Sequence, residues 1–297
     1  MSVEPAEPVV PGSPAGPTPP AGPERASRKD EHLRLAVRLH DQGGPNAFDD
    51  VSFVHHGLPR TSADMIDTST TVCGATWRVP FYINAMTGGT RATAAVNAGL
   101  AGAAADADVA IACGSQRIAL EDPERADGFR IIRREAPHAF VLANIGPTVT
   151  PEQALRAVEM VRADALQIHL NAAQELIMPE GDRDFRDWAE RIAAIVATVP
   201  VPVVAKEVGF GLSRRTIMTL ERTGVTAVDV AGAGGTDFIA IENERRRREY
   251  AYLTGWGQSA PLCLPDALCG RDPVGLPVLA SGGVRNPLDV VRSLALG

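Results

Sequence analysis

From Val79 onward the chain alternates short apolar runs with longer amphipathic stretches. The runs are "VPFYINAM", "DVAIACGS", "AFVLANIG", "DALQIHL", "VPVVAKEV", "AVDVAGAG" and "LPVLASGG", each bounded by Gly, Pro or Asn. Between them lie helical patterns such as "TRATAAVNAGLAGAAADA", "TPEQALRAVEMVRA", "DRDFRDWAERIAAIVATV" and "SRRTIMTLERTG". Several runs lack polar alternation, as expected of strands covered on both faces. Repeated βα units of this kind predict a parallel sheet.

An open doubly wound sheet would concentrate its chemistry at one switch point. Here almost every run ends in polar residues or glycine, which favours a (β/α)8 TIM barrel, where catalytic groups come from many strand ends. Seven strands are readable, and "LDVVRSLALG" reads as the seventh helix. The expectation is a barrel lacking its eighth βα unit, through truncation or incompleteness. Edge strands would then carry unpaired backbone groups.

The front of the chain differs. Residues 1–27, rich in Pro, Ala and Gly, have no apolar core of a signal peptide and read as a disordered tail. "SRKDEHLRLAVRLH" reads as a short amphipathic helix, and the stretch to Arg78 has mixed character. The expected division is a tail over 1–27 and one barrel domain over 28–297.

Composition narrows the function. The 297 residues are 45% hydrophobic but only 5% aromatic, so aliphatic side chains must fill the core. A net charge of −7 argues against general nucleic-acid binding, without excluding a basic pocket for an anion. No apolar run reaches the length of about 20 residues that spans a membrane. Cys73, Cys113, Cys263 and Cys269 show no C-x-x-C spacing and read as reduced thiols rather than a zinc site. Cytoplasmic location is the default expectation.

In a barrel the strand ends converge at one mouth. "GAGGT" and "SGG", after the sixth and seventh runs, are Gly-rich turns before helices, suited to a phosphate. Lys206, inside an apolar run, is either a snorkelling lysine or a cation facing a flavin or a phosphate. "QIHLNAAQE" places His169, Asn171, Gln174 and Glu175 together. They are either a polar loop start or a site in which His and Gln handle protons and Glu binds Mg2+. The arginines of "ERRRRE" read as a solvated face.

Taken together, "SRKDEH", "INAMTGG", "GSQR", "ANIGP", "QIHLNAAQELIMPEGDRDF", "VAKEVGFGLS", "DVAGAGGTDFIAIENERR" and "LASGGVRNP" resemble type 2 isopentenyl diphosphate isomerase, from about Arg28 to the last residue. The resemblance implies a TIM barrel that interconverts isopentenyl and dimethylallyl diphosphate. It implies reduced FMN, made with NAD(P)H, and Mg2+, with a flavin N5 acting as acid–base near the alkene. It also implies a homo-oligomer, a tetramer or octamer, with no nucleic-acid or membrane partner.

By motif, Arg28 and Lys29 resemble the diphosphate-binding pair, with His32 beside them. Ala85, Met86, Thr87 and Gly88 resemble the segment along the flavin, and Ser115 a residue touching flavin and substrate. Gln116 and Arg117 look like substrate contacts. Asn144, Lys206 and Thr236 look like FMN contacts, and Ser281, Gly282 and Gly283 like the FMN phosphate turn. Gln174 is similar to the substrate-proximal catalytic amide and Glu175 to the Mg2+ ligand. His169 and Glu242 fall at positions near the substrate, and Asn171 joins His169 at the diphosphate end. The family continues past "ALG" with an eighth strand and a further contact to the FMN phosphate.

Two alternatives stand beside this. An FMN barrel of the 2-hydroxy-acid oxidase type would need a His–Arg pair in a late strand loop, yet all six histidines precede Arg191. An inactive truncated paralogue, serving only as a flavin-binding or partner subunit, is favoured by the missing eighth unit and opposed by the intact motifs.

Overall fold

A computed structural model describes residues 22–40, 44–246, 248–269 and 273–297, with the side chains of 22–27 left aside. Most of the expected tail, residues 1–21, lies outside the described residues. Helix α1 (Gly22–His40) begins six residues before Arg28, so the boundary expected at residue 27 falls inside a helix.

All seven expected strands are present and parallel. They are β3 (Tyr82–Ile83), β4 (Ala110–Ala112), β5 (Val141–Ile145), β6 (Ala165–His169), β7 (Val203–Lys206), β8 (Ala227–Asp229) and β9 (Val278–Leu279). They pair in chain order, so each crossover returns the chain to the next position along the sheet. β3 pairs only with β4 and β9 only with β8, so these two are the edges. The sheet curls until its ends communicate: Asn84, just past β3, donates through Nδ2 to Ser281 Oγ, just past β9, at 2.8 Å. This is the wall of a TIM-like barrel, built from seven strands among the described residues.

Helices cover the outer face. They are α2 (Arg91–Ala107), α3 (Arg117–Glu121), α4 (Asp127–Glu135), α5 (Pro151–Val161), α6 (Ala172–Ile177), α7 (Trp188–Val196), α8 (Arg214–Glu221), α9 (Phe238–Arg245), α10 (Ala260–Leu268) and α11 (Pro287–Leu296). Their starts follow local chemistry. Thr90 and Thr93 form a capping box on α2, as do Thr150 and Gln153 on α5, where Pro151 also fixes the first-turn φ. The outward side chains Ile111, Ala143, Ile145, Ile168, Ala205 and Val228 pack beneath the helices with Phe129, Ile132, Ile192 and Ile217. Each large side chain buried here stabilises the fold by about 1.5–3 kcal/mol relative to exposure.

Strand alternation turns the other residues inward. Near the strand starts the interior is apolar: Ala110, Ala112, Leu142, Ala165, Val204 and Ala227 meet Val72 and Trp77. Those last two come from a hairpin absent from the sequence pattern, β1 (Thr70–Val72) and β2 (Ala75–Trp77). Trp77 stacks obliquely on Tyr82 and Phe140, and Arg78 binds Asp108 at 3.0 Å. The hairpin thereby plugs the barrel floor. Toward the strand ends the inward residues become polar, namely Asn144, Gln167, His169, Lys206 and Asp229.

All four cysteines are free thiols. Among the described residues, no helix is long and apolar enough to cross a membrane.

Candidate active site

The strand ends open into one cavity of about 1540 Å³, which α1 borders. Five consecutive α1 residues make contacts at its rim. Arg28 pairs with Glu180 at 3.0 Å, and Lys29 Nζ donates to the Ser115 carbonyl at 2.9 Å. Asp30 accepts from Thr90 Oγ1 at 2.6 Å. Glu31 pairs with Arg245 at 3.2 Å, and His32 Nε2 lies 2.9 Å from Glu242 Oε1. Arg245 also binds Glu242 and Glu180, so a continuous chain of side-chain contacts runs from Arg28 to His32. Arg245 is therefore an inward structural ion, not part of a solvated face; Arg246 lies over Tyr250, and Arg247 falls outside the described residues.

Most predicted site residues line this cavity. Arg28, Lys29 and His32 come from α1, while Ala85, Met86 and Thr87 follow β3. Ser115 and Arg117 follow β4, and Asn144 ends β5. His169, Asn171, Gln174 and Glu175 follow β6; Lys206 ends β7; Thr236 follows β8; and Ser281, Gly282 and Gly283 follow β9.

Three do not. Gln116, expected to touch substrate, is fully buried in the layer between sheet and helices. Its Nε2 donates to the Ala157 carbonyl and its Oε1 accepts from Asn144 N, both at 2.9 Å. One residue after Ser115 the backbone turns into α3, and the side chain swings to the opposite face. Glu242, expected near the substrate, is fully buried behind His32 and Ile241 and does not line the cavity. Gly88 is buried one layer back, against the Phe129 ring.

The loop after β6 is built around Glu175. Asn171 Nδ2 donates to Glu175 Oε1 at 2.8 Å and to Gln174 Oε1 at 3.2 Å. Asp182 N donates to Glu175 Oε2 at 2.9 Å. The return is possible because residue 181 is glycine: a Cβ there would sit 2.0 Å from the Glu175 carbonyl oxygen. Arg183, absent from the expected site, clamps the loop by donating to the carbonyls of Met178 at 2.7 Å and Gly181 at 2.6 Å. Among the described residues no three His, Cys, Asp or Glu side chains gather as a metal cage. A carboxylate held at a cavity wall suits a hard cation that takes its other oxygens from water and a phosphate.

At the opposite end lies a glycine cradle. Gly234, Gly282 and Gly283 have positive φ. A Cβ on Gly282 would meet the Gly232 carbonyl oxygen at 1.8 Å, so this approach of the two turns admits only glycine. The N–H groups of Gly234, Gly235, Gly282 and Gly283 have no backbone acceptor among the described residues, which suits a bound phosphate. Asn46 Nδ2 fixes the cradle from outside by donating to the Gly283 carbonyl at 2.7 Å.

Electrostatics follow burial. Lys206 is only 5% exposed, and desolvation lowers its pKa against the pull of Asp229 and Glu207. His169 is pushed down to about 3 by burial, then by Lys206, Lys29 and Arg117, so it is neutral at pH 7. Glu207, not anticipated, accepts from the N–H groups of Val208, Gly209 and Phe210, while burial pushes it up to about 7. It shapes the turn after β7.

No family model matches the chain. Among solved structures, inosine 5' monophosphate dehydrogenase from Legionella pneumophila superposes with a TM-score of 0.54 at 17% identity, over 84% of this chain and 66% of that one. This likeness supports the barrel fold alone. The isopentenyl-diphosphate delta-isomerase of Streptomyces sp. (strain CL190) is 54% identical over 274 residues, 92% of this chain and 74% of that protein. That of Kitasatospora griseola is 55% identical over 276 residues, with the same shares covered. Identity at this level, over nearly the whole chain, shows that the chain belongs to the isopentenyl-diphosphate delta-isomerase family, as its type 2 strand-end motifs imply.

Proposed function

We propose that this chain interconverts isopentenyl and dimethylallyl diphosphate in isoprenoid biosynthesis, using reduced FMN, with NAD(P)H as reductant, and Mg2+. The observation that carries the reading is one cavity with two differently built ends. One end joins Arg28, Lys29, Arg117 and the carboxylate Glu175, and the other joins Lys206 to the glycine cradle.

The residues present fit the groups this reading requires. The cradle of Gly234, Gly235, Gly282 and Gly283, with Ser281 and Thr236, would hold the FMN phosphate. Ala85, Met86, Thr87, Asn144 and Lys206 would hold the rest of the cofactor. Glu175 would be the protein's ligand to Mg2+, with diphosphate oxygens and water completing the shell. The chemistry reduced FMN supplies when bound is acid–base exchange at N5 beside the alkene.

The chain's own residues do the rest. Arg28 and Lys29 bring cationic charge to the diphosphate end, and Arg117, held by Thr148 at 3.0 Å, adds a guanidinium fork. Gln174 receives its orienting bond from Asn171 on Oε1, which leaves its N–H2 as the end that would serve the substrate. Helix α1, fastened at five successive residues, excludes water from the reacting end. Cytoplasmic location, a tetrameric or octameric assembly, and the absence of membrane or nucleic-acid partners accompany this reading.

The test is turnover. The purified chain with FMN, dithionite or NAD(P)H, and Mg2+ is expected to equilibrate the two diphosphates anaerobically. Lys206→Ala is expected to lower flavin affinity or shift the flavin absorbance. Bound flavin without isomerisation under reducing conditions would overturn the assignment.

A further inference from the structure

We propose that Asp229 sets the tautomer of His169 from across the barrel, through Tyr82, Gln167 and Asn144. The residues lie on β8, β3, β6 and β5, and none of the three intermediates bar Asn144 belongs to the expected site. The inference rests on the reading that His169 faces the reacting molecule.

The chain of bonds has a direction imposed by valence. The Asp229 carboxylate is fully buried and receives four donors. Oδ2 accepts from the Tyr82 hydroxyl and from Asn84 Nδ2 at 3.1 Å. Oδ1 accepts from Ser281 Oγ at 2.8 Å and Ala231 N at 2.9 Å. A carboxylate only accepts, and Lys206, its register partner on β7, supplies the compensating charge.

The one proton of Tyr82 is thereby committed to Asp229, so the phenol oxygen can only accept. Gln167 must then present Nε2, which lies 3.2 Å away. Its Oε1 is left facing Asn144, which must present Nδ2, also at 3.2 Å. Asn144 is left with Oδ1 toward His169 Nδ1, at 2.8 Å. That pair is satisfied only if Nδ1 carries the proton. The sequence of roles is forced link by link from the acceptor-only end, whichever way each amide is first placed.

A neutral imidazole has a single proton, and burial among cations keeps His169 neutral against the pull of the Ile145 backbone carbonyl. Nε2 is therefore bare. It faces Gly146, where a Cβ would sit 3.4 Å away, at the cavity wall. A bare Nε2 accepts hydrogen bonds and cannot donate to a diphosphate oxygen. His169 meets the reacting molecule as an acceptor, and it grips a diphosphate only through an intervening donor such as water. Asp229 and Tyr82 act as positioning residues, neither of them bonded to His169 itself.

The tautomer is measurable without turnover. In the full chain labelled with 15N-histidine, long-range proton–nitrogen spectra at pH 7 distinguish a protonated from a bare ring nitrogen. His169→Gln serves only to assign the signal. Wild type is expected to show Nδ1–H and a pyridine-like Nε2. Tyr82→Phe removes the hydroxyl and frees Gln167 to reverse, and Gln167→Met cuts the next link. Each is expected to shift the His169 signals toward a mixture of tautomers. A protonated Nε2 in wild type overturns the proposal, as does an unchanged wild-type pattern in either variant that melts cooperatively. Because no catalysis is involved, failure of the isomerase reading would leave this result intact, and the reverse also holds.

Discussion

His32 Nε2 stands 2.9 Å from Glu242 Oε1, joining α1 to α9 at the cavity rim. The two atoms are at ion-pair distance but off the hydrogen-bond axis, and the second Glu242 oxygen is taken by Arg245. Glu242 therefore acts on the site through α1. Glu242→Ala leaves His32 facing an empty space while Arg245 keeps Glu31 and Glu180, so the cost stays below the roughly 3–5 kcal/mol of breaking a buried pair outright. Loosening α1 moves Arg28 and Lys29, so KM for the diphosphate is expected to rise by about tenfold, or ~1.4 kcal/mol. Under the proposed function flavin affinity should hold, because the glycine cradle follows β8 and β9. A fall in kcat at constant KM would instead place Glu242 in proton transfer.

The seven strands were legible because each carries a continuous apolar run ending in Gly, Pro or Asn, a pattern that both-face burial imposes. The hairpin was not: Thr70–Val72 and Ala75–Trp77 are three residues each, too short for a period to show. The cavity-lining residues on strands and in Gly-rich turns were legible by position. Gln116 and Glu242 lie off the cavity although each adjoins a residue that lines it, Ser115 or Ile241, because one step along a helix turns the side chain by about 100°. The Asp229 relay left a signal in the sequence: Gln167 in "ALQIH" and Asp229 in "AVD" are polar residues inside apolar runs, and alternation points them inward.

Gln116 provides a direct contrast with the residues that face the cavity. It closes the junction of β4, β5 and α5 by bonding Ala157 O and Asn144 N. Gln116→Ala orphans Asn144 N in a dry layer and takes the second donor from the Ala157 carbonyl, which keeps its helix bond, at a cost of about 1–3 kcal/mol. Urea unfolding should register the loss, while KM for substrate stays within about twofold, since uniform binding is untouched. A large rise in KM with unchanged stability would return Gln116 to substrate contact.

Glu175 holds both its oxygens in place through Asn171 and Asp182, a preorganised carboxylate. Under the proposed function, Glu175→Gln keeps the shape and removes the charge. The Mg2+ concentration for half-maximal activity is then expected to rise by about tenfold, or ~1.4 kcal/mol, while FMN remains bound. Isothermal titration of Mg2+ in the presence of substrate, beside a flavin titration, separates the two. An unchanged Mg2+ titration would remove Glu175 from the metal site.

His169 makes stability depend on pH with a definite sign. In the folded chain burial and the Lys206, Lys29 and Arg117 charges hold it down to about 3, whereas its ordinary value is 6.5. Between those values the unfolded chain binds a proton that the folded chain refuses. Stability from this group is thus complete above pH 6.5 and is lost as pH falls toward 3, with a limiting slope of about 1.4 kcal/mol per pH unit. His169→Gln removes this dependence and leaves the other histidines unaltered. Urea unfolding from pH 7.5 to 5 is therefore expected to show wild type losing stability faster than the variant as the medium is acidified, with the gap opening below about 6.5. Parallel pH profiles for the two proteins would mean that His169 takes up its proton in the folded barrel as readily as in the unfolded chain, and that the cations around it are screened by water.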